Sequence, residues 1–451
     1  MKMKVLNIGL LGASWVLGLV LPHFQPDPNI FELLFDSAVV VLLTYSLWCV
    51  LSNTFLNSKR ISYGLTATLV LLFLMSYFLL QLGRPTLYDI WSRLGSGTME
   101  FEGSLFPFGD LVHFTAAAEC VTGIEIGVNS CDPWQRVFNQ NPDVSRFLDF
   151  VGLTNVNLLG ISSYLMLTIL LILNVRKENQ SNISIMIFIA SPPFMLAVDR
   201  GNEIITIFLI LLGLNLLESK NKYLKSFSII LFLAAAIFKL WPFLLVGSLA
   251  VFASKPKRKY LLIAFALSSG YWLSSLNEIP KMLSATQSGS PHGVAFGFKL
   301  FFSGQTSQIN AGYLVLMAIL IAGLWMMYSG RSLYATFLTS TRDPRFEILI
   351  PTLLTYVGIW FFTDSFIYRM LILLPALLIL ISPDLLSHFW VKGLVVLILV
   401  SVLSSRLAIT RGVSSSLALV SLVVSILYTR ARILSYISQR QASKEGIAES
   451  K

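Results

Sequence analysis

Long apolar runs recur along this chain with only short polar breaks between them, and no other feature restricts its fold as much. Such runs include Ala38–Leu51, Leu65–Leu80 and Gly393–Leu403. Wound into helices, about 17–25 residues of this kind cross the hydrocarbon core of a bilayer, and a helix satisfies its own backbone hydrogen bonds there. Of the 451 residues, 55% are hydrophobic and 12% are charged. A soluble domain carries about a quarter charged residues. A transmembrane barrel would need short segments of strictly alternating polarity, and these do not recur. The expected architecture is a single all-α integral membrane domain over residues 1–451, a polytopic bundle of about fourteen helices.

The expected spans run roughly 5–21, 33–51, 63–82, 153–173, 183–198, 204–217, 226–238, 241–253, 260–276, 311–328, 346–363, 370–382, 393–409 and 414–429. Several fall short of a full crossing. Short, proline-interrupted helices persist at membrane depth where they line a cavity or pack on neighbours. With the loops alternated from a cytoplasmic N-terminus, the inner side collects Lys59, Arg60, Lys220, Lys222, Lys225, the Lys255–Lys259 cluster, Arg331, Arg342, Arg345, Lys392 and the basic C-terminal tail. That asymmetry is the positive-inside pattern of a multi-pass protein of the inner (plasma) membrane with both termini cytoplasmic. The net charge of +10 therefore belongs to loops. No basic face with interleaved aromatics stands outside the spans, so nucleic acid is not an expected partner. Lys2 and Lys4 before an apolar run look like a signal peptide, but no small-residue cleavage site follows, and the run is read as a retained helix. The tail from 436 to 451 is expected to be disordered.

The stretch 83–152 is more acidic than basic and falls on the outer side. Within it, Leu87, Ile90, Trp91 and Leu94 recur at helical spacing, as do Val144, Phe147, Leu148 and Val151. Each set reads as a short amphipathic helix, lying on the membrane surface or packed on the bundle. Cys120 and Cys131 share this loop, and an oxidising exterior would allow a disulfide between them. The four histidines are scattered and no Cys/His spacing suits zinc, so no metal or other cofactor is expected.

Charges at membrane depth cost about 2.5–3.5 kcal/mol each on insertion scales, and they are kept where they do work. Four places qualify. Asp110, in Phe108-Gly-Asp-Leu-Val-His113, precedes an Ala-rich run: it is either an N-cap or a general base facing a cavity. Asp132, Trp134, Arg136 and Asn139 crowd one short segment whose groups suit a sugar, although an Asp-Pro turn in a solvated loop has the same composition. Asp199, Arg200, Asn202 and Glu203 follow the double proline Pro192-Pro193 with no room for a long loop, which points to a pocket more than to a hairpin. Lys239, and Asp364, Tyr368 and Arg369, lie between apolar runs on the expected outer side. A lone cation there often snorkels to lipid headgroups, but a pair also suits a phosphate, with Arg369 as the fork and Lys239 as the point charge.

Taken together, Phe108-Gly-Asp-Leu, Cys131-Asp-Pro-Trp-Gln-Arg136, Asp199-Arg-Gly-Asn-Glu203, Lys239-x-x-Pro242 and Tyr368-Arg-Met-Leu before Leu373-Leu-Pro375 resemble the glycosyltransferase C superfamily, specifically the bacterial mannosyltransferase-like membrane proteins that use polyprenyl-phosphate sugars. The likeness covers roughly 83–382. It implies a helical bundle around a cavity, a carboxylate base that maps to Asp110, and a lipid-phosphate donor met by Lys239, Arg369 and Arg200. Residues Asp132, Trp134, Arg136, Asn139, Asp199, Asn202, Glu203, Asp364 and Tyr368 would then hold the sugar and a glycan or glycolipid acceptor. Where these relatives carry an aromatic-Asn-Tyr-Pro stretch, this chain reads Phe138-Asn-Gln-Asn-Pro142, and its base loop follows the third span rather than the first.

The implied reaction is inverting transfer of a sugar at the outer face of the membrane. No Asp-x-Asp pair occurs to hold a metal-bound nucleotide sugar. The competing readings are a transporter or flippase of lipid-linked sugars, which often shows two related halves that are not seen here, and a glycan polymerase or ligase.

Overall fold

In a computed structural model the described residues are 30–52, 59–83, 100–101, 104–105, 108–118, 142–178, 182–277, 295–296, 318–325, 333, 336–337, 343–362, 365–405 and 410–448. They are almost wholly helical. In chain order the helices are α1 (Ile30–Leu51), α2 (Lys59–Gln81), α3 (Gly109–Ala118), α4 (Pro142–Phe150), α5 (Val156–Glu178), α6 (Asn182–Ile189), α7 (Pro192–Arg200), α8 (Asn202–Leu217), α9 (Lys222–Phe238), α10 (Leu240–Phe252) and α11 (Lys255–Ser274). After these come α12 (Phe346–Phe362), a 3-10 helix (Ile367–Leu373), α13 (Leu374–Leu380), α14 (Pro383–Leu386), α15 (Phe389–Leu403) and α16 (Thr410–Ala448). Two antiparallel pairings of two residues each interrupt them: Glu100–Phe101 with Ser104–Leu105, and Ala295–Phe296 with Ser365–Phe366.

Among the described residues, three stretches are long and apolar enough to cross a membrane: Leu34–Leu51, Val156–Asn174 and Gly412–Ser438. The pair α6 and α7, which bend by 53° where Ser191 precedes Pro192, has the composition of a broken span or a re-entrant loop and would make a fourth if counted as one span. Proline at the start of α7 has no N–H to lose, so the chain restarts a helix there instead of continuing α6. The described residues are thus all-α in class, as expected, with three candidate spans among the about fourteen helices read from the sequence. Elements such as α8, α10 and α15 are apolar but short; α8, with 16 residues, is about 24 Å long, less than the hydrocarbon core. Each packs against neighbouring helices of the bundle. The expected first span, 5–21, and most of 83–141 lie outside the described residues. The tail differs from its expectation too: α16 runs on through Ala448, because no glycine or proline occurs between Gly412 and Gly446 to stop it.

One continuous core joins most helices, with Tyr164, Phe188, Phe194, Tyr356, Trp390 and Tyr428 among its fully buried rings. α8 packs between α5 and α9, α10 between α11 and α12, and α12 against α16. Short connections make the neighbours antiparallel, so the bundle has two distinct ends. One end collects Glu218, Lys257, Glu347, Asp343, Arg345 and Asp384, joined by ion pairs. The other collects the start of α3, the α7–α8 junction, Lys239 and Arg369.

α4 forms at the second end where the spacing of Val144, Phe147, Leu148 and Val151 predicts a helix. Val144 and Leu148 are buried against Phe114 of α3, in a small cluster that also meets Phe238. Phe147 and Phe150 stay exposed, and Tyr271 of α11 donates to Asp143 over 2.8 Å, tying α4 to the bundle. One face therefore packs on protein while the other offers aromatic side chains outward, as a helix at a membrane surface would.

Candidate functional site

The site is built on the first turn of α3. Phe108 precedes it with φ +61°, a left-handed conformation rare for a side chain of this size. Its carbonyl accepts from the N–H groups of Leu111 and Val112, so Phe108, not Asp110, occupies the N-cap position. The Phe108 ring is fully buried, meeting Phe73 and Tyr77 edge-on and at a tilt. It also lies over Gly160 of α5, where any Cβ would fall 2.4 Å from the ring. This anchor fixes the entry to α3 and aims Asp110, one residue inside it, at the α7–α8 junction. The positive end of the α3 dipole favours an ionised carboxylate at that position.

Gly201 makes the junction. With φ +80° and ψ −45° it lets the chain end α7 and begin α8 without a connecting loop. A Cβ there would stand 3.1 Å from Leu111 Cβ and 3.2 Å from Phe108 Cβ, so α3 rests directly on this glycine. The two residues flanking Gly201 then grip the two oxygens of one carboxylate. Arg200 donates from Nη1 to Asp110 Oδ1 at 2.6 Å, and Asn202 donates from Nδ2 to Oδ2 at 3.4 Å. The Asp110 and Arg200 side chains are only 12% and 19% exposed. The pair is accordingly poorly screened; its attraction offsets the cost of burying two charges, and each partner depends on the other.

Glu203, one residue further, is buried, and the indole N–H of Trp241 donates to its Oε2 at 3.2 Å. Trp241 is the second residue of α10, two positions after Lys239, which is the break between α9 and α10. Glu203 lies within electrostatic reach of Lys239, Arg369 and Asp110. Lys239 in turn feels Glu203, Asp110, Arg369 and Arg200. Arg369 belongs to the 3-10 helix, which packs against α7. Five ionisable residues from four separate segments thus converge at one end of the bundle, with buried Asp199 beside Arg200 in the chain. Asn202 Oδ1 and Glu203 Oε1 are buried and accept no hydrogen bond among the described residues. Buried acceptors normally have a partner, so this is where a polar group of a ligand or a water would be taken up.

Of the residues singled out from the sequence, Asp110, Asp199, Arg200, Asn202, Glu203, Lys239 and Arg369 gather here. Asp132, Trp134, Arg136, Asn139, Asp364, Cys120 and Cys131 lie outside the described residues, as does the side chain of Tyr368. Arg200, expected to meet a donor phosphate, bonds directly to Asp110 in this structure. Sequence reading also missed contributors. Trp241 was visible beside Lys239, but nothing local says that its indole meets Glu203. The backbone pairing of Ala295↔Phe366 and Phe296↔Ser365 brings Ala295–Phe296 beside the chain leading to Arg369, a register with no signature in either segment.

Comparison with known protein families, with curated proteins and with solved structures finds no match to this chain.

Proposed function

We propose that this chain is an inverting membrane glycosyltransferase, moving a sugar from a polyprenyl-phosphate donor to an acceptor hydroxyl at the outer face of the plasma membrane. The observation that carries the reading is the convergence of Asp110, Arg200, Glu203, Lys239 and Arg369 on one end of the bundle, next to two buried acceptors without a hydrogen-bond donor among the described residues. The opposite end carries Lys220, Lys222, the Lys255–Lys259 cluster and Arg345, so the positive-inside rule turns it to the cytoplasm and the Asp110 end outward.

In this mechanism the donor phosphate competes with Asp110 for Arg200. When Arg200 turns to the phosphate, the freed carboxylate accepts the proton of the acceptor hydroxyl. The hydroxyl oxygen attacks the anomeric carbon, the bond from that carbon to the phosphate oxygen breaks, and its electron pair leaves with the polyprenyl phosphate. Lys239, Arg369 and Arg200 stabilise that charge in a site of low dielectric. The sugar ring passes through oxocarbenium character and its configuration inverts. Glu203 and Asn202 accept from sugar hydroxyls, and Asp132, Trp134, Arg136, Asn139, Asp199, Asp364 and Tyr368 complete the sugar and acceptor surface. The acceptor is a glycan or glycolipid.

The test is purified full-length protein with a panel of radiolabelled polyprenyl-phosphate sugars. Release of free polyprenyl phosphate that is lost in Asp110→Asn supports the reading; no release from any donor counts against it. A second reading, a transporter or flippase of lipid-linked sugars, is favoured by the bent pair α6–α7 and its adjoining charges, since broken helices line transport sites. It predicts movement of intact donor across proteoliposomes with no bond cleavage.

A further inference from the structure

At the end of the bundle remote from Asp110 lies a pocket of about 360 Å³ between α5, α8, α12 and α13. Its volume falls in the range of small-molecule sites. Its apolar wall includes Leu214, Ile348 and Leu378, and its polar lining includes Asn174, Asn215 and Glu218. Asn202 begins α8 beside Asp110, and Asn215 and Glu218 stand at the far end of the same helix, so this pocket cannot take part in chemistry at Asp110.

The hydrogen bonds say what the lining has left to offer. Asn174 donates its Nδ2 to the Leu170 carbonyl at 3.0 Å, and Asn215 donates its Nδ2 to the Leu211 carbonyl at 2.8 Å. Both amides therefore spend a donor on their own helix and keep the carbonyl oxygen for a ligand. Lys257 takes Oε1 of Glu218, and no hydrogen bond or ion pair engages Oε2 among the described residues. Asn174 and Glu218 also lie in or beside the last turns of α5 and α8, the negative ends of their dipoles. Arg345 reaches the lining as well, but each of its three side-chain nitrogens already donates: Nε and Nη2 to Asp343, Nη1 to Ser382 with Asp384 in ion-pair contact. The basic residues of this end, Lys220, Lys222 and Lys255, do not line the pocket. Among the described residues, Glu218, Glu347, Asp343 and Asp384 share only Lys257 and Arg345 as ion-pair partners at this end, an excess of carboxylate that disfavours an anion, whereas a cation with several N–H groups would find acceptors.

We propose that this pocket binds a primary ammonium group carried on an apolar stem, supplied by the ethanolamine headgroup of a membrane phospholipid. A primary ammonium has three N–H donors, which match two amide oxygens and one carboxylate oxygen. A trimethylammonium has none, so choline lipids are excluded by chemistry rather than by size. The lipid source follows from α5, whose Met166, Ile169 and Leu173 are exposed apolar side chains leading along the helix to Asn174. The acyl chains lie on that face while the headgroup enters the pocket. None of this depends on the reaction proposed for the Asp110 end.

The test is native mass spectrometry of the delipidated full-length protein titrated with dioleoylphosphatidylethanolamine, the matching phosphatidylcholine and the matching phosphatidylglycerol. Ethanolamine lipid is expected to bind at least tenfold more tightly than the other two. Glu218→Gln, and the pair Asn174→Leu with Asn215→Leu, are each expected to erase most of that preference. Leu214→Trp, which fills the apolar wall, serves if the double variant does not fold, and is expected to lower binding of ethanolamine lipid alone. Equal binding of the three lipids, preference for the glycerol lipid, or wild-type selectivity in both Glu218→Gln and Leu214→Trp overturns the proposal. Hexylamine, a soluble primary amine, is expected to compete only at concentrations far above those of the lipid. If it competes equally well, the lipid source is wrong.

Discussion

Arg200 and Asp110 are ninety positions apart in the chain, yet the guanidinium donates to the carboxylate over 2.6 Å. Removing one partner of a buried pair leaves the other charge uncompensated, at a cost of about 3–5 kcal/mol, whereas removing both can be nearly neutral. Arg200→Gln is therefore expected to lower stability by roughly that amount in chemical denaturation, and Arg200→Gln with Asp110→Asn to recover much of it. If the double variant is as unstable as the sum of the two single ones, the pair is not coupled. Asp110→Asn keeps the shape of the side chain but leaves Arg200 without its carboxylate, so it should lose stability to a similar extent; per folded molecule its transfer rate should fall roughly 10²–10⁴-fold, the usual contribution of a general base.

The Phe108–Gly160 contact sets where Asp110 points. Gly160→Ala would drive a methyl into the Phe108 ring, and overpacking of this kind costs about 1–3 kcal/mol. The expected result is a lower melting temperature, partly restored by Phe108→Leu in the same chain. Additive losses would show that the two positions do not touch.

Trp241→Phe removes the indole donor and leaves a buried oxygen of Glu203 without it. The expected loss is about 1–3 kcal/mol, and Glu203→Gln in the same chain should reduce it, since an amide is cheaper to bury than a carboxylate. Equilibrium unfolding of the two variants and of their combination decides the point.

Gly201→Ala tests the junction itself. The new side chain must adopt φ near +80° and approach Leu111 and Phe108, so a loss of about 1–3 kcal/mol is expected, with transfer activity falling more steeply than stability because Arg200 and Asn202 shift together. Equal stability and activity to the parent protein would mean that the junction can relax.

At the other end, burial tends to raise the carboxyl of Asp384, but the hydrogen bond and positive charge of Arg345 outweigh it and hold Asp384 below its usual value of 3.8. A carboxyl depressed in the folded state contributes stability above its unfolded value and loses it as pH falls through the folded one. The difference in melting temperature between the parent protein and Asp384→Asn should be present at pH 6 and shrink below about pH 4. A difference that is constant from pH 6 down to pH 3 contradicts the linkage.

Residues near in sequence were legible because helix periodicity and helix breaking are local. The apolar runs located α1, α2 and α5 within a few residues, and Val144 with Leu148 fell on the buried face of α4, whereas the single span expected over 183–198 is divided at Pro192 into α6 and α7. The residue types at Asp110, Arg200, Lys239 and Arg369 flagged themselves, since charge between apolar helices is costly and is kept for a reason. What periodicity could not supply was partner choice. That Arg200 meets Asp110 rather than an open space, that Trp241 reaches Glu203, and that Gly160 receives a phenyl ring all follow from which helices lie side by side. Adjacency is decided by the summed burial of many side chains across the whole core, so composition and spacing determined a helical, lipid-compatible chain with charged helix breaks, and only tertiary packing decided which of those charges neutralise one another.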